Sequence, residues 1–296
     1  MLSAYKNVPT VELKASWTGN DKVRVLVRRE DLNHETISGN KWWKLKYNLE
    51  HAAKLKAKTI LTFGGAYSNM IYATAAAANA MGFNSIGVIR GEESFPINHT
   101  LAFAKKMGMH LHFVSREDYR KKSNEDFIDS LKEQLGDFYM LPEGGTNELA
   151  VTGCIELGKK IIAETEFDYV CLPIGTGGTA AGVIAGLAGL KEVIGFSSLK
   201  GGDFLEEEIK QLFEKNQLAD PGNWSIQTRF HFGGYGKSTE ELNSFIRQQQ
   251  SENELPLDPV YTSKMMYGIA QLIREGYFKS GSTVLAIHTG GLQKVS

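Results

Sequence analysis

Cysteine is scarce in this chain of 296 residues, which has only Cys154 and Cys171. Two such residues make neither a metal-ligand spacing nor a set of disulfide bridges, and this usage is typical of a reducing cytoplasm. Histidine pairs at metal-ligand spacing on a helix are also absent, since His110 and His112 alternate along a predicted strand. The sequence therefore predicts no metal site and no bridged scaffold.

Excess charge and long apolar runs are missing as well. The formal net charge is -1, which gives no reason to expect a nucleic-acid partner. No apolar run reaches the roughly 18 residues that a membrane-spanning helix needs. Residues 1–11 lack the basic start and apolar core of a secretory signal. We expect a soluble, cytoplasmic protein without a nucleic-acid or membrane partner.

A regular alternation of short apolar strands and helical patterns is present. It predicts an α/β protein with parallel sheets and with ligands at the carboxyl ends of the strands. A chain of this length also suits two closely associated lobes better than one small core. The predicted strands are 23–27, 59–63, 85–89, 110–114, 138–141, 169–174, 192–197 and 283–288, and the predicted helices are 44–56, 68–81, 98–107, 127–135, 150–164, 204–216, 239–250 and 263–275.

The segment 38–45, SGNKWWKL, places Lys41 where a strand-like region passes into a helical pattern. A lysine at such a junction can be partly desolvated, and desolvation lowers the pKa of its ammonium group. Lysines tuned in this way are nucleophiles toward carbonyl compounds and toward pyridoxal phosphate. The alternative interpretation is an ordinary solvated lysine at a helix start.

A glycine-rich loop, GTGGTAAG, runs from Gly175 to Gly182 between a predicted strand and a helix. Backbone N–H groups of such a loop and the start of the helix bind anions, and a phosphate is the natural occupant. Gly175, Gly177 and Ala180 also satisfy the loose dinucleotide fingerprint. That fingerprint expects an acidic residue at the end of the next strand, and strand 192–197 has its acid at the start.

Three other segments carry candidate site residues. GGAYSN, residues 64–69, places Ser68 and Asn69 at a helix start, where Ser68 is a natural N-cap and both side chains could bind a carboxylate or a ring hydroxyl. DPVYTSK, residues 258–264, contains Tyr261, which could stack on a planar ring or carry a proton. HTGG, residues 288–291, places Thr289 at the end of the last strand.

Together these segments resemble the 1-aminocyclopropane-1-carboxylate deaminase and D-cysteine desulfhydrase family, over a range from about Leu13 to the C-terminus. The resemblance implies a two-lobed α/β fold of pyridoxal-phosphate fold type II, similar to tryptophan synthase β, with three αβα layers in each lobe. It implies a larger lobe of residues 1–43 and 142–296 and a smaller inserted lobe of residues 44–141. Pyridoxal 5'-phosphate would lie between the lobes, and homodimers are usual in the family.

The resemblance also implies roles for individual residues. Lys41 would bind the cofactor covalently, Asn69 its ring oxygen, and Ser68 and Asn69 the substrate carboxylate, with Ser68 as the nucleophile in the deaminases. The implied catalytic residues are Lys41, Ser68, Tyr235 and Tyr261; the implied cofactor-binding residues also include Thr176, Gly177, Gly178, Thr179 and Thr289; and Tyr261 and Thr262 are implied to contact the substrate.

Two positions bear on the substrate, which we expect to be a small amino acid. The deaminases of this family carry the motif D-P-V-Y-E, whose glutamate contacts the pyridine nitrogen of the cofactor. They also carry a leucine before the last double glycine. In this chain Thr262 stands in place of that glutamate and Thr289 in place of that leucine. A hydroxyl leaves the ring nitrogen closer to neutral than a carboxylate does. For the elimination of a thiol, a cofactor ring that withdraws electrons less strongly is sufficient, because a thiol with a pKa of about 8.5 is a fair leaving group. The pair therefore predicts a D-cysteine desulfhydrase that forms pyruvate, ammonia and sulfide.

Other positions depart from the family pattern. Ser38 and Trp43 replace a glycine and an arginine around the lysine, while Met70 and Tyr72 lie where glutamine or histidine and a basic residue are usual. These departures are expected beside the carboxylate site and bear on the choice of substrate. The alternatives are a 1-aminocyclopropane-1-carboxylate deaminase forming 2-oxobutanoate and ammonia, a dinucleotide-dependent oxidoreductase, and an inactive binding homologue on the same fold.

Overall fold

The structure, a computed structural model, describes residues 2, 4–14, 23–93 and 96–293. Two parts of the sequence predictions fall partly outside the described residues. The segment inspected for a secretory signal lacks residues 1 and 3, and the predicted lobes also lack residues 15–22, 94–95 and 294–296. The strands are β1 Thr10–Glu12, β2 Val23–Arg28, β3 Thr59–Gly64, β4 Asn84–Arg90, β5 Met109–Val114, β6 Tyr139–Leu141, β7 Tyr169–Ile174, β8 Glu192–Ser197, β9 Trp224–Gln227 and β10 Ser282–Ile287. The α-helices are α1 Asn40–Lys54, α2 Asn69–Met81, α3 His99–Lys106, α4 Arg116–Arg120, α5 Glu125–Leu135, α6 Glu148–Glu164, α7 Gly178–Leu187, α8 Leu205–Lys215, α9 Glu240–Asn253 and α10 Thr262–Arg274.

These strands form two sheets. The larger has the order β1-β2-β10-β7-β8-β9, and the smaller has the order β5-β4-β3-β6. The β1–β2 pair is antiparallel, and the other pairs of the described strands are parallel, with Tyr169 opposite Glu192 and Ile60 opposite Ser85. The α/β class with parallel sheets is confirmed. The strands of the smaller sheet all fall within residues 59–141, while the exact lobe boundaries stay a prediction.

Each sheet is covered by helices on both faces, which confirms the three-layer arrangement. In β7 all six residues are buried, as expected for a central parallel strand. Val170 and Leu172 face the core shared with α6 and α7, and Tyr169 and Cys171 face the core shared with α10. The smaller sheet likewise packs α2 and α3 on one face and α4 and α5 on the other.

Helices α6 and α7 approach each other closely through glycines. A Cβ atom added at Gly182 would lie 2.3 Å from Cys154 Cβ, and one added at Gly186 would lie 2.4 Å from the Ile155 carbonyl oxygen. Side chains at these positions would separate the two helices. Because α7 begins at Gly178, within the glycine-rich segment, this packing also fixes the position of the loop residues that lead into the helix.

The predicted helices and strands are found, with ends that differ by a few residues. The helix predicted from residue 44 begins earlier, at Asn40, so Lys41 lies in its first turn. Three short elements, β1, α4 and β9, were not predicted from the sequence. Within the described ranges, no helix is long and apolar enough to cross a membrane, and no cluster of His, Cys, Asp or Glu side chains could hold a metal.

Candidate active site

A buried carboxylate organises the chain just before Lys41. One Glu30 oxygen accepts hydrogen bonds from Arg28 Nε at 2.7 Å and from the Tyr5 hydroxyl at 2.9 Å. The other accepts from Asn33 Nδ2 at 3.0 Å and from Trp43 Nε1 at 2.9 Å. Glu30 and Arg28 are almost completely buried, so the pair is stable only because these donors satisfy it. Trp43 thus belongs to this network, and the expectation that it lies beside the carboxylate site is wrong.

The same network holds the turn into α1. Asn33 exchanges two hydrogen bonds with the Gly39 backbone, at 2.9 and 3.0 Å. Gly39 has φ of 72°, and a Cβ atom there would lie 1.9 Å from the Thr289 carbonyl oxygen, so only glycine fits. The Asn40 N–H donates to that same carbonyl at 3.2 Å. The start of α1 is therefore tied to the end of β10, and Lys41 has a defined position.

Lys41 lies on the wall of a cavity of about 260 Å³ at the carboxyl ends of the strands. Its Nζ donates to Asn40 Oδ1 at 3.0 Å, and Asn40 Nδ2 donates to Thr179 Oγ1 at 2.8 Å. Burial, with the nearby charge of Lys44, lowers the pKa of Lys41 to about 7. Asn40 therefore links a lysine suited to nucleophilic chemistry directly to the glycine-rich loop.

The glycine-rich loop forms another part of this wall. Gly175, Thr176, Gly177 and Thr179 line the cavity, and α7 starts at Gly178. The first N–H groups of a helix have no acceptor within the helix, so they are available to an anion, and the helix dipole adds to the attraction. Gly177 has φ of 75°, which allows the tight turn. The loop is therefore a suitable phosphate site.

Lys44 is a candidate functional residue that the sequence analysis missed. It lines the cavity, and its Nζ donates to the Gly144 carbonyl oxygen at 2.9 Å and to Thr146 Oγ1 at 3.0 Å. Thr146 Oγ1 lies 2.6 Å from Thr176 Oγ1 in the glycine-rich loop. Burial lowers the pKa of Lys44 to about 8. The spacing of three residues from Lys41, which puts both on one helix face, could have revealed it.

Ser68 and Asn69 lie at the start of α2, after β3. Ser68 is the N-cap, as predicted: its Oγ accepts from the N–H groups of Met70 at 3.2 Å and Ile71 at 3.3 Å. A hydroxyl in this role still has its own proton to donate. Both residues line the cavity, together with Met70 and Tyr72. The candidate carboxylate site is therefore bordered by a thioether and a phenol ring.

Tyr235 and Tyr261, the two tyrosines among the implied catalytic residues, both line the cavity. Their rings lie edge to face with centroids 5.9 Å apart, and the ring of Tyr261 packs on Gly175. Burial, with Tyr235 beside it, raises the pKa of Tyr261 well above its ordinary value. Its hydroxyl therefore keeps its proton at neutral pH and can donate a hydrogen bond, although burial alone does not assign it a catalytic role.

The predicted site residues are largely brought together. Lys41, Ser68, Asn69, Thr176, Gly177, Thr179, Tyr235, Tyr261 and Thr289 line one cavity. Gly178 and Thr262 are not among the described lining residues. The Thr262 hydroxyl donates to Asp258 Oδ2 at 2.6 Å, and the same carboxylate accepts the Thr262 N–H at 2.8 Å. The structure thus places Thr262 in a buried helix-start motif, and direct contact with a ligand stays a prediction.

The cavity fits pyridoxal phosphate. The phosphate matches the N–H groups and hydroxyls of the glycine-rich loop, and the aldehyde matches the half-buried amine of Lys41 with its lowered pKa. Asn69 and Thr289 also line the cavity and offer hydrogen-bonding groups for the ring. The chemistry of the donor set is therefore that of a pyridoxal-phosphate site, without an acidic residue to bind a dinucleotide ribose at the end of β8.

Comparison with known proteins agrees with this class. The model of a family described as pyridoxal-phosphate dependent enzymes matches residues 1–290, and the chain belongs to this family. A Pyrococcus horikoshii protein, provisionally named 1-aminocyclopropane-1-carboxylate deaminase, is 32% identical over 90% of this chain and 84% of its own length. The bifunctional mitochondrial D-cysteine desulfhydrase/1-aminocyclopropane-1-carboxylate deaminase of Arabidopsis thaliana is 30% identical over 90% of this chain and 72% of its own.

A solved structure supports the same assignment. The crystal structure of an ACC deaminase homologue superimposes with a TM-score of 0.83 at 29% identity, over 97% of this chain and 90% of that one. The predicted family, fold type and cofactor are thereby confirmed, and the protein is a pyridoxal-phosphate-dependent deaminase or lyase.

Proposed function

We propose that this enzyme catalyses α,β-elimination of a thiol from a small amino acid, as a D-cysteine desulfhydrase does, with release of pyruvate, ammonia and sulfide. The observation that carries the proposal is that no carboxylate stands at position 262, where the resemblance places the glutamate for the ring nitrogen and this chain has threonine. Thr289, a residue with a hydroxyl group just after β10, lines the cavity. The Asp258 carboxylate is not a substitute, because it accepts hydrogen bonds from Val260, Tyr261 and Thr262. A ring nitrogen held by a hydroxyl favours loss of a good leaving group such as a thiol.

The residues of the cavity have separate tasks in such a reaction. When bound, pyridoxal phosphate supplies a ring that takes up the electron pair released at the substrate α-carbon. Lys41 has a pKa of about 7, so its amine can accept or release a proton near neutral pH. Ser68 and Asn69 orient the substrate carboxylate, which fixes the direction of the α-hydrogen. Lys44 and the glycine-rich loop hold the anionic end of the cofactor.

Deamination of 1-aminocyclopropane-1-carboxylate is the second candidate, because the Pyrococcus and Arabidopsis relatives carry that activity in their names. A panel of D- and L-amino acids and the cyclopropane substrate, scored for keto acid, ammonia and sulfide, separates the two. We expect sulfide and pyruvate from D-cysteine, with 2-oxobutanoate from the cyclopropane formed at least tenfold more slowly. The reverse order would overturn the proposal. The variant Lys41→Ala is the control and should be inactive in both assays.

We further propose a homodimer, as is usual for the family, and a cytoplasmic location, which the sequence predicts. Light scattering of the purified protein tests this assembly, and a mass of one chain would contradict it.

A further inference from the structure

The segment after β10 passes along the cavity and ends on the elements of the smaller sheet. Thr289, Gly290, Gly291 and Gln293 all line the cavity wall. Gly290 and Gly291 have φ of 86° and 90°, which turns the chain toward the starts of α2 and α3. This segment therefore brings a side chain that follows β10 of the larger sheet to the candidate ligand site.

Gln293 makes three contacts there through its amide. Its Nε2 lies 2.6 Å from Asn69 Oδ1 and 3.5 Å from the Tyr67 carbonyl oxygen, and its Oε1 accepts the hydroxyl of Thr100. A backbone carbonyl can only accept, so Tyr67 favours the amide nitrogen of Gln293 on that side. Thr100 is fully buried, and Gln293 satisfies its hydroxyl. The orientation of the Gln293 amide is therefore determined by its neighbours.

That orientation in turn determines the orientation of Asn69. Asn69 Oδ1 already accepts a hydrogen bond from Gln293 Nε2, so the Nδ2 group of Asn69 is the one that can donate to a ligand. Asn69 Nδ2 lies beside Gly291, 3.0 Å from the position that a Cβ atom added at this glycine would occupy. Without Gln293, the Asn69 amide could turn over and present an oxygen to the ligand, which would repel an anionic ligand oxygen.

We propose that Gln293 is a positioning residue: it fixes the Asn69 amide so that its NH₂ group donates to an anionic oxygen of the ligand. The inference rests on the proposed role of Asn69 at the cofactor ring and at the substrate carboxylate, and it does not depend on which amino acid is turned over.

The test compares Gln293→Met, which removes the polar contacts, with Gln293→Glu, which keeps the shape and replaces the donor by an acceptor. Binding of pyridoxal phosphate to the cofactor-free protein is measured by its absorbance spectrum and by titration. We expect Gln293→Met to weaken binding about tenfold, because the Asn69 amide is then no longer held to donate its hydrogen bond to the charged ligand oxygen, and Gln293→Glu to weaken it further. We also expect the cofactor absorbance to titrate at a different pH in Gln293→Glu.

The same substitutions in an Asn69→Ala background separate positioning from general support of the fold. Positioning requires that Gln293→Met and Gln293→Glu then bind the cofactor equally, because the amide they act on is gone. Thr100→Val removes one of the two contacts that orient the Gln293 amide, and it should weaken cofactor binding less than Gln293→Met because the contact with the Tyr67 carbonyl oxygen remains. Wild-type binding by Gln293→Glu, or an undiminished effect in the Asn69→Ala background, would overturn the inference. Neither result involves turnover, so the proposed reaction is tested separately.

Discussion

At the scale of single residues, Lys41 couples the stability of the cofactor-free protein to pH. Its pKa is lowered by burial from 10.5 to about 7, so between these values the unfolded chain binds a proton that the folded chain has released. The free energy of unfolding therefore rises with pH across this window, by at most about 1.4 kcal/mol per pH unit for one group. Below pH 7 both states are protonated, and the cost of burying the charge is present in full.

We expect Lys41→Met to remove this contribution. In the absence of cofactor, the free energy of unfolding of the variant should exceed that of the parent protein. The difference should be largest at pH 7 and below and should shrink toward pH 10. Urea unfolding at several pH values measures it. Lys44 and Lys264, whose pKa values are lowered by burial to about 8, leave a residual slope in both proteins. Parallel curves for parent and variant would show that Lys41 is ordinarily solvated.

Glu30 is the residue on which the turn before Lys41 depends most. Glu30→Gln removes the buried negative charge that pairs with Arg28. It also places the NH₂ group of the new side chain against one of the groups that now donate to Glu30. Breaking a buried pair in this way costs about 3–5 kcal/mol. We expect Glu30→Gln to lower the free energy of unfolding by this amount and to weaken binding of pyridoxal phosphate.

A matched control is available in Glu12, whose ion pair with Arg24 is exposed to solvent. Glu12→Gln should change neither stability nor cofactor binding appreciably, because exposed pairs contribute little. If the two variants unfolded at the same urea concentration, the organising role of Glu30 would be refuted.

At the scale of elements, the contact between α6 and α7 positions the phosphate loop. The variant Gly182→Ala adds a methyl group 2.7 Å from the Val151 carbonyl oxygen, so α7 has to shift. Overpacking of this kind costs about 1–3 kcal/mol. We expect lower thermal stability and, because the loop precedes α7, weaker binding of inorganic phosphate and of the cofactor. Ala185→Ser on the half-buried side of α7 is the control that should leave both unchanged.

The sequence predicts the elements well where the pattern is local. Strand β7 is apolar throughout, and α2 has Ser68 as N-cap and Gly82 as a left-handed C-cap, so both are visible in the letters alone. Strand β9, WSIQ, is half-buried and short, and only its pairing with β8 makes it a strand. Such tertiary effects carry no sequence signal of their own.

In the candidate site, too, local features can be predicted from the sequence and tertiary contacts cannot. The five motifs predict which loops meet, because the carboxyl ends of parallel strands share one edge of a sheet. They do not show how side chains pair across the cavity. The structure is needed to see that Trp43 bonds to Glu30, that Thr262 bonds to Asp258, and that Gln293 reaches Asn69.

At the scale of the whole molecule, the cavity joins the two sheets. Lys41 and the glycine-rich loop come from the elements around the larger sheet, while Ser68 and Asn69 come from the loop after β3 in the smaller one. A ligand bound by both therefore stabilises their association as well as each site. Binding to the folded state alone raises the free energy of unfolding by about 2.7 kcal/mol when the ligand is at 100 times its dissociation constant.

We expect pyridoxal 5'-phosphate to raise the thermal unfolding midpoint and to keep unfolding in a single transition, since both sheets contribute to one site. Pyridoxal without its phosphate should stabilise the protein less, because the glycine-rich loop and Lys44 then have no anion to bind. Inorganic phosphate should stabilise it slightly, and this effect should persist in Lys41→Ala, whose loop is intact. Equal stabilisation by pyridoxal and by its phosphate, measured by calorimetry, would mean that the loop does not hold the phosphate, because the binding energy assigned to it would be missing.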